Sequence, residues 1–82
     1  NHIFSYIELD EQHAIIEVAV PDDWQGRSIG ELEIRRKYGV NILGVKQNGK
    51  TDVNISPETM LDADMTLLVL GENQELKKHF RL

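Results

Sequence analysis

Cysteine is missing from all 82 residues, which excludes a disulfide framework, a thiolate metal site and a cysteine nucleophile. Long apolar runs are missing too. Nothing approaches the roughly 18–20 consecutive apolar residues of a membrane-spanning helix, and no signal-peptide pattern opens the chain. A cytoplasmic setting without membrane insertion is therefore expected. Positive charge is scarce: nine Lys and Arg face fourteen Asp and Glu, for a formal net charge of −5. General binding to DNA, RNA or an anionic membrane needs the opposite balance, so any anion site must be local. An initiating Met is also lacking, since the chain starts at Asn1, which reads as a piece of something longer.

What is present is the composition of an ordinary globular domain, 40% hydrophobic and 28% charged. A chain of this length forms one domain, residues 1–82. It buries only roughly 60–65% of the surface that its unfolded form exposes, a thin margin that a partner subunit would widen.

The leading segment, residues 1–12, contains an edge strand with Phe4 and Tyr6 on one face and Ile3, Ile7 and Leu9 on the other. In His13–Pro21, Ile16, Val18 and Val20 alternate with Ile15, Glu17 and Ala19, and Pro21 ends the strand because it has no N–H to donate. Ser28 and Glu31 have the spacing of a capping box, and Gly39 suits the left-handed end of the helix that follows. That helix does not carry one apolar stripe. Ile29 and Leu32 are neighbours, but Ile34 and Tyr38 lie nearly opposite, so the helix either kinks near Glu33 or is apolar on two sides.

Beyond it, residues 40–47 read as a strand, Asn48-Gly49 as a type I′ hairpin turn, and residues 50–55 as the returning strand. Ser56-Pro57-Glu58 has the form of a helical start. Residues 65–71 are apolar on both faces, as in a buried strand, and residues 72–82 suit a short helix with Leu76 and Phe80 one turn apart. The order predicts an α+β fold, a mainly antiparallel sheet with helices on one face.

Catalytic motifs are absent: there is no nucleophile elbow, P-loop, zinc-protease or dinucleotide fingerprint, and an enzyme is not expected. His2, His13 and His79 lack ligand spacing and read as surface or edge residues, with no metal implied. The pairs Asp22-Asp23 and Asp62/Asp64 read as turn formers, and Trp24 as a lid on the core.

The chemistry concentrates in Arg35-Arg36-Lys37. Cations in a last helical turn complement the helix dipole, which alone accounts for three in a row. Arg35 has a further possibility, because Ile34 beside it lies off the Ile29/Leu32 stripe and a monomer would expose it. An apolar side chain next to a guanidinium suits a subunit interface or a pocket for a planar, phosphate-bearing ligand. Asn41 nearby supplies amide groups able to read a base edge.

The stretches RSIGELEIRRKYGVNILGVKQNGK and ISPETMLDADMTLLVLGENQELKK resemble the TrkA-C domain, the C-terminal lobe of RCK regulators of potassium transport, and in particular the Ktr branch of Gram-positive bacteria. One departure is visible, Ala63-Asp64 where a Gly-Asp turn is frequent. The resemblance implies a homodimer and a missing N-terminal Rossmann-like lobe that docks on a membrane channel subunit. In the Ktr branch it implies cyclic di-AMP seated across the dimer interface, inhibiting potassium uptake, with no other cofactor. By position, Arg35 would hold a phosphate, one copy from each subunit, and Asn41 would bond the adenine or ribose. Ile29, Ile34, Ile42 and Pro57 would pack on the purines, leaving Arg36 and Lys37 to the dipole and solubility. Without the ligand, the same residues describe a plain dimerisation module.

Overall fold

The computed structural model describes residues 3–80. Four longer strands carry the fold: β1 (Ile3–Glu8), β2 (His13–Ala19), β4 (Asn41–Gln47) and β7 (Thr66–Glu72). With the short β5 (Lys50–Asp52) they form one antiparallel sheet in the order β1-β2-β7-β4-β5. Two-residue strands β3 (Arg27–Ser28) and β6 (Met60–Leu61) form a separate ribbon, an element that short polar flanks left invisible in the sequence. The helices are α1 (Ile29–Leu32), α2 (Ile34–Tyr38) and α3 (Asn73–Phe80). None of the described helices is long and apolar enough to cross a membrane.

The core follows from the alternation in β2 and β7. Cross-strand partners Ile16/Val69 and Val18/Leu67 point to the same side, and all four are fully buried. Against them pack Leu76 and Phe80 of α3, Ile34 of α2, Leu32 of α1 and Trp24, in one continuous cluster. Trp24 is 2% exposed, edge-on to Phe80 at 5.6 Å and tilted against Tyr38 at 5.0 Å, so it is the expected lid. The other sheet face is less covered: Leu68 and Leu70 are only half-buried, so β7 is apolar on both faces but closed on one.

Three local expectations need correction. In β1 a bulge between Ile3 and Ser5 sets Ile3 opposite Val18 and Tyr6 opposite Ile16, so Ile3 and Tyr6 share a face that strict alternation would divide. Ser56–Thr59 is a turn closed by the Thr59 N–H on the Ser56 carbonyl at 3.0 Å, not the start of a helix. The returning strand of the hairpin stops at Asp52, because the Asp52 carboxylate accepts the Asn54 N–H at 2.9 Å and turns the chain aside. The hairpin turn itself is as expected, with Asn48 at φ 54° and Gly49 at φ 76°.

Candidate functional site

The helix predicted over residues 28–39 begins as expected: the Ser28 hydroxyl accepts the Glu31 N–H at 3.1 Å. It then breaks at Glu33, whose φ of 49° and ψ of 51° are left-handed, and restarts at Ile34. Of the two sequence alternatives, the chain takes the kink. Gly39 at φ 70° ends the second piece, where a Cβ would be strained.

The break decides where α2 aims its side chains. It rotates Ile34 into the core, where it is 3% exposed. The expected exposure of Ile34 in a monomer is therefore overturned, for the physical reason that the kink resets the helical phase. At the other end of α2, Tyr38 packs tilted against Trp24 and lies edge-on to His79 at 4.9 Å. With both ends of its inner face packed, α2 presents Arg35 outward from a fixed turn.

Arg35 opens on a groove of about 520 Å³. Its apolar floor is Ile29, Ile34, Ile42 and Ile55, and Asn41 stands at its edge at the start of β4. Five of the six residues singled out in the sequence thus meet in one place. Pro57 is not among the lining residues. It packs under α1 instead, so close that a Cβ on Gly30 would lie 2.9 Å from the Pro57 Cβ and 3.0 Å from its carbonyl oxygen. Ile55 was missed because it sits in an irregular segment where no periodicity marks it.

The charged lining is Glu33, Arg35 and Arg36. The Glu33 carboxylate accepts Arg36 Nε at 3.0 Å and Nη2 at 2.6 Å, and Lys37 Nζ stands 3.8 Å away. Among the described residues no ion pair or hydrogen bond engages the Arg35 guanidinium. The hydrogen bond from Arg36, then its charge and that of Lys37, hold the Glu33 carboxyl below its ordinary value of 4.5. Because the folded value is depressed, the pair supports the kink above the ordinary glutamate range and is lost as pH falls through the folded value. In an NMR titration the Glu33 carboxyl should protonate with a midpoint below 4.5. A midpoint at or above that value would mean that the pair does not form in solution.

An isoleucine-floored groove with an unengaged guanidinium at its rim can hold a flat apolar ring system and grip an attached anion. Among the described residues, a single copy of the chain offers only one such guanidinium.

Comparison with known proteins places the chain in a family. Ktr system potassium uptake protein C of Bacillus subtilis is 27% identical over 78 residues, 95% of this chain and 35% of that protein. The chain thus spans about a third of the length of that curated relative. The RCK C domain of the potassium transport protein KtrA, solved in complex with cyclic di-AMP, superposes with a TM-score of 0.76 at 28% identity, over 84% of this chain and 81% of that one. The RCK_C domain dimer of S. agalactiae BusR, also solved with cyclic di-AMP, shares the fold, with a TM-score of 0.66 at 24% identity over 87% of this chain and 91% of that one. The model of the TrkA-C domain matches residues 13–82, and the chain belongs to the TrkA-C domain family.

Proposed function

We propose that this domain is the ligand-binding lobe of a cytosolic regulator of potassium transport, and that as a homodimer it binds cyclic di-AMP across the subunit interface to inhibit potassium uptake. The observation that carries the reading is Arg35, exposed and unengaged among the described residues, at the rim of the isoleucine groove. Cyclic di-AMP is two-fold symmetric and carries two phosphates. A two-fold dimer brings two identical guanidinium groups to one ligand without a second kind of subunit. Each Arg35 takes one phosphate, Asn41 bonds the adenine or ribose, and Ile29, Ile34, Ile42 and Ile55 pack against the purines. Pro57 serves from outside the groove by seating Gly30.

Regulation then requires that the ligand bind one arrangement of the dimer better than another, since equal affinity shifts no equilibrium. The arrangement is transmitted to a membrane channel subunit through a preceding Rossmann-like lobe. Calorimetric titration of the chain with cyclic di-AMP tests the reading. Saturation at one ligand per two chains is expected, and absence of binding would refute it.

A plain dimerisation module is the second reading. It draws on β1, an edge strand on which Phe4, Tyr6 and Ile7 are all exposed. It predicts a stable dimer that gives no heat with any nucleotide.

A further inference from the structure

Glu33 is the least expected residue of the groove. A carboxylate normally repels an anionic ligand, and a non-glycine residue in the left-handed region carries a conformational cost that glycine or asparagine would lower. Both penalties fall on one position, beside the guanidinium that the proposed function needs. What they achieve is visible in the ion pairs. Arg36 and Lys37 stand three and four residues after Glu33, the spacings at which helical side chains meet, and both reach its carboxylate. Arg35, only two residues on, faces elsewhere. The kink and the carboxylate together therefore sort a run of three cations. One is left to the groove, and the next is held by the acid.

The consequence is a count of charge. Glu33, Arg35 and Arg36, the charged residues of the lining, sum to one positive charge per copy. Two copies facing one another present two, which matches a ligand with two singly charged phosphates. They undersupply a nucleoside triphosphate or pyrophosphate, whose charges are more numerous and more concentrated. We infer that Glu33 is a specificity-determining residue, a charge filter that cancels Arg36 so that the paired groove accepts a dianionic cyclic dinucleotide and turns away more highly charged phosphates. The inference rests on the proposed function for the identity of the accepted ligand, but not for the filtering itself.

Two kinds of substitution move the filter in opposite directions, which a merely structural role for Glu33 would not. Glu33→Asn removes the charge and keeps a residue tolerant of the left-handed conformation; Glu33→Gln removes the charge and keeps the length. Either one frees Arg36. Arg36→Gln leaves Glu33 with only the more distant Lys37, at 3.8 Å, to offset it. The probes are cyclic di-AMP, ATP and inorganic pyrophosphate, titrated at low and high salt, with thermal melts to check that each variant is folded.

In Glu33→Asn and Glu33→Gln the preference for ATP and pyrophosphate relative to cyclic di-AMP should rise by about twofold to thirtyfold at low salt, the yield of one surface charge pair in each of two copies. High salt should erase most of that gain. Arg36→Gln should shift the preference the other way. An unchanged ratio in both Glu33 variants, or a shift of the same sign in Arg36→Gln, would overturn the filter. Should the unsubstituted chain fail to bind cyclic di-AMP, the proposed function falls, while the ATP and pyrophosphate arms still decide the filter. If no probe binds any variant, the filter falls as well.

Discussion

Arg35→Ala should weaken cyclic di-AMP binding by at least about a hundredfold while leaving the thermal melt of the chain nearly unchanged. The first half follows from symmetry. One substitution removes two guanidinium groups, one per subunit, and a charge-assisted hydrogen bond contributes roughly 1.5–3 kcal/mol. The second half follows from the surroundings of Arg35. It is exposed, and among the described residues no ion pair or hydrogen bond holds it, so its removal takes from the folded monomer only its small share of the helix-dipole interaction. Arg36→Ala gives the contrast, because that side chain is tied to Glu33. Calorimetry and melting of the same samples separate the two effects. Unchanged affinity in Arg35→Ala would remove the residue from the site.

Trp24→Ala should be the most destabilising substitution of a single side chain, by about 3–5 kcal/mol, and should lower the melting temperature by roughly 10 °C or more. Trp24 is 2% exposed and joins three parts of the fold: the connection after β2, Tyr38 of α2 and Phe80 of α3. Its loss leaves a cavity that three separate elements cannot close together. A domain of this size has a total margin of only some 5–10 kcal/mol, so one such loss consumes a large part of it. Denaturant unfolding checks the figure. A loss below about 1 kcal/mol would mean that the indole is not the lid the packing shows.

The same residues explain which parts of the molecule can be read from the chain. Strand β2 is legible because Ala14, Ile16 and Val18 obey a period of two and are buried accordingly. The hairpin is legible because Asn48-Gly49 adopts a conformation that few other residue pairs tolerate. Ile34 shows where local pattern stops deciding. Its angular position on an ideal helix puts it outside, but one left-handed residue at Glu33 resets the phase and buries it. No propensity marks a glutamate for that conformation; it is held by ion pairs that only the folded turn assembles. The bulge in β1 and the ribbon of β3 with β6 are of the same kind, tertiary choices in segments too short to carry a period.

The groove was legible in part for a related reason. Arg35 and Asn41 stood out by residue type beside a capped helix, while Ile29 and Ile42 came from the family resemblance, and all four lie on regular elements that the fold brings together. Ile55 and the exact seat of Pro57 depend on an irregular loop. The ion pairs of Glu33 with Arg36 and Lys37 follow helical spacing, so that signal was present in the sequence. What the sequence did not show is that the pairing leaves Arg35 alone at the rim.

The central claim is that one guanidinium, contributed by each of two identical chains, holds a cyclic dinucleotide between them. A crystal structure of the chain grown with cyclic di-AMP tests it most directly. The predicted result is a single ligand on the two-fold axis, each phosphate within hydrogen-bond distance of one Arg35 and the adenines against Ile29, Ile34, Ile42 and Ile55. A ligand bound elsewhere, or bound within one chain without the second copy's Arg35, would contradict the account.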